Sequence, residues 1–161
     1  MKYISVLLIL SVTSCNFSEQ TESITIGSKE TEYIEIKDFP DNLKAKNIIL
    51  AIGDGVGPNQ ITLSRIAIGG LDHRLFIDQI PYLGTSLTHS YNNAYTDSAA
   101  AATAWSTGYK TKNRYLSLNP DKKILETIVE MLQKKGYTSG IVATSSVTHA
   151  TPAALYAHID N

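Results

Sequence analysis

Asn47-Ile48-Ile49-Leu50-Ala51-Ile52-Gly53-Asp54-Gly55-Val56-Gly57 is the stretch on which the fold turns. Asn47 to Ile52 is a short apolar run, consistent with a buried strand. Gly53-Asp54-Gly55 then breaks it, and Pro58 can open a helix through about Ile68, closed by Gly69-Gly70. The same alternation recurs downstream. Leu83 to His89 has moderate strand character. Ser98 to Ser106 reads as a helix of small residues ended by Gly108. Asn119-Pro120 caps an amphipathic helix whose apolar face is Ile124, Leu125, Ile128, Val129, Met131 and Leu132, with Gly136 at its end. Gly140 to Thr144 is a second buried strand, and Thr151-Pro152 opens a last helix. Strands alternating with helices define the α/β class, with a mostly parallel central sheet and helices on both faces. In such sheets active groups collect beyond the carboxyl ends of the strands.

Composition narrows the classes of function. Of 161 residues, 43% are hydrophobic and 18% charged, a globular balance. A net charge of −1 excludes a strongly basic nucleic-acid binder, so no nucleic-acid partner is expected. One cysteine excludes a disulfide scaffold and a cysteine-based zinc site. No apolar run reaches the roughly 20 residues of a membrane span.

The amino terminus reads differently from the body. Lys2 precedes the apolar stretch Tyr3 to Val12, and small residues lead to Cys15. Residues 1–14 are therefore expected to be a signal peptide. Val12-Thr13-Ser14-Cys15 resembles a bacterial lipoprotein signal, which implies lipidation of Cys15, export, and a periplasmic or cell-surface location held to the membrane by that anchor. Residues 15–42, with seven acids against two lysines, are expected to be a polar tether. Residues 43–161 form the folded body. It carries eleven bases and eight acids, a charge of +3 that weakly suits an anionic substrate.

Three segments just past the expected strand ends carry chemistry. Asp54, flanked by glycines, can be approached closely by a metal ion or a phosphate, although an ordinary turn uses the same residues. Thr96-Asp97-Ser98 opens the run AAAATAWSTG. Asp97 or Ser98 can cap that helix. A cap does not explain so bare a helix, which close packing against a neighbouring surface would favour. A serine there also sits in the positive end of the helix dipole beside free N–H groups. Its hydroxyl is a weak nucleophile until a base or metal activates it. In the third segment, Thr148 to His158, Thr151 can cap a helix whose first residue is Pro152, and His149 needs no metal in that turn.

Together and in order, these segments resemble the alkaline phosphatase family. Thr96 to Lys110 (TDSAAAATAWSTGYK) is close to its nucleophile signature, Gly53 to Gly57 to its first metal-ligand motif, and Thr148 to His158 to its magnesium-side motif. The resemblance covers about residues 45 to 161. It implies a three-layer sandwich, incomplete in this chain, and hydrolysis of small phosphomonoesters through a phosphoserine, with two zinc ions and one magnesium ion. It implies Ser98 as nucleophile and metal ligand, with Asp97 orienting an arginine that grips the phosphate. Asp54 would bridge zinc and magnesium, and Thr151 would bind magnesium. His149 occupies a position that is aspartate or histidine in the family, where histidine can alter the third metal. A homodimer is possible by the same resemblance.

The family's phosphate-gripping arginine falls one place past Asn161, and Arg65, Arg74 and Arg114 do not match it. His73, His89 and His158 are expected to be surface or packing residues. The expectation is thus a truncated chain, inactive or nearly so by itself. Competing readings are a phosphodiesterase or sulfatase of the same superfamily, and a lipid-anchored phosphate-binding protein without turnover.

Overall fold

The computed structural model describes residues 26–35 and 45–160. Cys15, the signal segment and most of the tether lie outside the described residues. Among the described residues four α-helices and one short 3-10 turn follow each other. Helix α1 is Pro58–Gly69, α2 is Ser98–Thr107, α3 is Ile128–Lys134 and α4 is Ala150–Ala153; the 3-10 turn is Phe76–Gln79.

Proline at the first position presets φ for α1, and Gln60 Oε1 accepts the Gly57 N–H at 3.0 Å. Gly70, at φ 94°, ends α1 by turning its N–H back to the carbonyls of Arg65 and Ile66. Residues 26–35 lie along this end. The N–H groups of Gly27 and Lys29 donate to the carbonyls of Ile66 and Ile68 at 2.9 and 3.0 Å. Arg65 reaches from α1 to the 3-10 turn and grips Asp78 with two nitrogens, at 2.6 and 2.5 Å. That guanidinium, with the Leu75 N–H, outweighs partial desolvation and holds the Asp78 carboxyl down to about 2.

The core is built from small residues. Ala99 and Ala102 of α2 pack on Leu116, Ala153 and Ala154. Alanine side chains let two helix backbones approach closely, and α2 lies directly against α4. Buried hydroxyls knit the contact. Thr103 Oγ1 donates to the Tyr115 carbonyl at 3.0 Å and accepts the Ser117 N–H at 2.8 Å. Ser117 Oγ donates to the Ala154 carbonyl at 2.5 Å. These buried hydroxyls thereby keep partners inside the protein, whereas buried Thr111 Oγ1 has none among the described residues. Leu116 and Ile159 exchange backbone hydrogen bonds at 2.8 and 3.0 Å, tying the segment after α2 to the segment after α4.

The expected central sheet is not formed among the described residues. Extended pairing is confined to two isolated antiparallel bridges, Leu116 with Ile159 and Leu118 with Ile124. A strand exists only through hydrogen bonds to a neighbour, and no backbone bond links 47–52, 83–89 and 140–144 to one another. Ile49, Leu83 and Val142 stand 94, 96 and 99% exposed. An apolar run marks a segment that requires burial; it does not supply the neighbour that buries it.

Two helix starts also differ from expectation. The helix read as opening at Asn119-Pro120 begins at Ile128 instead. Asn119 Oδ1 accepts the N–H groups of Asp121 and Lys123 at 2.9 and 2.8 Å, closing a tight turn that carries Lys122 at φ 64°. The true cap is Thr127. Its hydroxyl accepts the Glu130 N–H at 3.1 Å while Glu130 Oε2 accepts the Thr127 N–H at 2.8 Å. Helix α4 is capped at His149, so Thr151 falls within the first turn and its hydroxyl is free of capping duty.

Candidate active site

Asp97 is the N-cap of α2, and its Oδ1 accepts the Ala100 N–H at 2.8 Å. Its other oxygen accepts the Arg114 N–H at 2.6 Å. Asn113 Oδ1 in turn accepts the Asp97 N–H at 3.3 Å, and Asn113 Nδ2 donates to the Tyr95 carbonyl at 3.0 Å. The start of α2 is therefore clamped on both sides, and Ser98 stands as its first residue.

The Ser98 hydroxyl donates toward the Asp54 carboxylate, 3.2 Å from each oxygen. Thr151 Oγ1 donates to Asp54 Oδ2 at 2.9 Å. Asp54 comes from the turn before α1, Ser98 from α2 and Thr151 from α4, so three separate segments converge on one carboxylate. Packing of α2 on α4 sets the Ser98–Thr151 side of this triangle. A cleft of about 370 Å³ opens beside it, lined among others by Asp97, Ser98, Arg114, Leu116, His149 and Ile159. A second, smaller hollow of about 190 Å³ near Lys29, His73 and Arg74 contains none of these groups.

His149 stands at the cleft wall beside Ser98, and among the described residues its ring makes no hydrogen bond. The other histidines lie elsewhere. His73 Nδ1 is 3.4 Å from Thr31 Oγ1, and His89 Nδ1 is 3.0 Å from the Ser90 carbonyl. His158 sits between the Ser117 carbonyl (2.9 Å from Nδ1) and Glu130 Oε1 (3.0 Å from Nε2). Partial burial works against a charged His158 ring, but the Ser117 carbonyl and Glu130 outweigh it and raise its pKa above the ordinary 6.5.

The donor set at Asp54 is one carboxylate and two hydroxyls, all oxygen. This fits a hard divalent cation such as magnesium. It falls short of the roughly three protein ligands of a catalytic zinc. Among the described residues no group of three or more His, Cys, Asp or Glu converges on a common point.

Sequence reasoning does not single out two features, one at the start of α3 and one at the cleft. The Thr127–Glu130 capping box was visible as threonine followed three residues later by glutamate. Arg114 carried no signal, because its place beside Ser98 follows from a tertiary bond to Asp97.

Residues 45–161, well over half of the chain, match the family model described as alkaline phosphatase. The alkaline phosphatase of Escherichia coli K12 is 42% identical over 131 residues, covering 77% of this chain and 28% of that protein. Streptomycin-6-phosphate phosphatase of Streptomyces griseus is 40% identical over 121 residues, covering 71% of this chain and 27% of the relative. The solved cold-active alkaline phosphatase of a psychrophilic Shewanella species is 32% identical with a TM-score of 0.63, over 68% of this chain and 29% of that one. The chain belongs to the alkaline phosphatase family. It spans less than a third of the length of these relatives.

Proposed function

We propose that this protein is a metal-dependent phosphate monoester hydrolase that works through a phosphoserine at Ser98. The observation that carries the reading is the convergence of Ser98 Oγ and Thr151 Oγ1 on Asp54 at the start of a ten-residue helix. Ser98 Oγ gives up its proton and attacks phosphorus, the bond to the leaving oxygen breaks and that oxygen departs as the alcohol, and water then cleaves the phosphoserine to inorganic phosphate and regenerated Ser98. Two in-line displacements give net retention at phosphorus. Ser98 and Ala99 open α2, and N–H groups at the positive end of a helix favour a bound anion such as a phosphoryl group. Asp97 fixes that helix start, and by its likeness to the family would orient a guanidinium on the phosphate.

Asp54, Ser98 and Thr151 would hold a divalent cation, whose charge makes the serine hydroxyl more acidic and offsets the charge of the phosphoryl group. The family complement is two zinc ions and one magnesium ion, with Asp54 as the shared ligand, Thr151 on the magnesium side and His149 setting the preference of the third site. Small phosphomonoesters are the substrates, because such a site grips the phosphoryl group and not the alcohol. The amino-terminal sequence supports export and lipid anchoring through Cys15, and a homodimer accords with the family.

Turnover of a monoester, a diester and a sulfate ester tests the reading, measured on the metal-loaded protein in its full-length form because the 161-residue piece is expected to be inactive or nearly so by itself. Monoester hydrolysis that a chelator abolishes and added metal restores supports it. Faster diester or sulfate ester cleavage would overturn it, as would tight phosphate binding without turnover.

A further inference from the structure

Arg114 has a backbone that costs energy and a side chain with no internal employment. Its φ is 74°, in the left-handed region where glycine is favoured. For a residue with a long side chain that conformation is unfavourable, and an outlier of this kind points toward function when it stands at a site. Arg114 does stand at a site. Its N–H is held by the Asp97 carboxylate at 2.6 Å, and the residue lines the cleft that also holds Ser98 and His149. Among the described residues its exposed guanidinium takes part in no ion pair or side-chain hydrogen bond. Some cations elsewhere in the chain are paired. Arg65 is locked on Asp78, Lys122 is paired with Asp160, and Lys134 with Glu126. The bond to Asp97 also means that the group capping the nucleophile's helix places this arginine.

We propose that Arg114 is a specificity-determining residue that favours phosphomonoesters carrying a second anionic group on the alcohol side. This rests on the hydrolase reading above. No acceptor among the described residues holds the Arg114 guanidinium, so it remains available to a ligand in the cleft. A guanidinium can pair with a carboxylate or a second phosphate through two parallel hydrogen bonds, which an ammonium cannot reproduce in the same geometry.

The test compares kcat/KM for 3-phosphoglycerate and glycerol 3-phosphate, which share a primary phosphate ester and differ in a carboxylate. In the metal-loaded protein, Arg114→Gln lowers the ratio of the two values about three- to fivefold, as an exposed charge pair would. Arg114→Lys recovers part of it, and raising the salt concentration shrinks the effect. An unchanged ratio in Arg114→Gln would overturn the assignment, as would a loss shared equally by both esters. Affinities of the two corresponding non-hydrolysable phosphonates give the same ratio without turnover. A protein that binds these with the Arg114-dependent ratio yet cleaves neither ester would overturn the hydrolase reading and leave the specificity assignment standing.

Discussion

Thr151 Oγ1 stands 2.9 Å from Asp54 Oδ2, although 97 residues separate them in the chain. A threonine one residue before a proline near a helix start would ordinarily cap that helix. Here His149 occupies the N-cap position without a side-chain cap bond, and Thr151, within the first turn, directs its hydroxyl to the carboxylate. Thr151→Val keeps the shape and removes the oxygen. We expect it to raise the metal concentration needed for half-maximal activity at least tenfold, the lower range seen even for groups one shell removed from a metal. A titration of activity against added magnesium checks this, with Thr151→Ser restoring the wild-type value.

The small-residue face of α2 makes a second expectation. Ala102 is 4% exposed and packs in the cluster with Leu116, Ala153 and Ala154. Ala102→Leu inserts volume where two backbones already meet, and should cost about 1–3 kcal/mol. The same change at half-buried Ala101 should cost less. Thermal unfolding of both variants measures the difference.

Asp97 holds two N–H groups at once, those of Ala100 and Arg114. Asp97→Ala removes a helix cap worth about 1 kcal/mol and releases the Arg114 backbone from its left-handed position. Asp97→Asn keeps one acceptor oxygen and should retain most of the cap. Stability should therefore fall in the order wild type, Asn, Ala. Chemical denaturation midpoints of the three proteins provide the check.

His158 bridges two groups that only accept, the Ser117 carbonyl and the Glu130 carboxylate. Both ring nitrogens must then donate, which requires the charged ring. Its pKa is raised above 6.5 in the folded state, so its contribution is complete below 6.5 and is lost as pH rises through the folded value. Glu130, held below 4.5 by the Thr127 backbone N–H and by His158, contributes above 4.5 and loses that contribution as pH falls through its own lowered value. The pair therefore stabilises most between about 4.5 and 6.5. In melting temperatures taken across pH, the gap between wild type and His158→Gln should be widest in that window. A gap that widens steadily above pH 7 would contradict the pairing.

Much of the site and part of the fold were legible in the residues. Pro58, Gly70 and Gly108 set helix ends through covalent geometry, and such signals act locally. The bareness of α2 correctly pointed to a close neighbour, because only another surface makes use of absent side chains. Asp54, Ser98 and Thr151 could be singled out by residue type and place after an expected strand. The start of α3 was misplaced because Asn119 serves a turn as well as it serves a cap. The segments 47–52, 83–89 and 140–144 showed strand character that the described residues do not pair. Arg114 could not be seen at all, since its position depends on one bond to a residue 17 places earlier.

The most direct measurement is on Ser98 itself. The metal-loaded protein, mixed with a phosphomonoester and quenched in acid, can be digested and its peptides weighed. We expect one added phosphoryl group on the peptide containing Ser98, and none in Ser98→Ala. A phosphorylated peptide that survives this substitution, or one that maps elsewhere in the chain, would contradict the role assigned to Ser98.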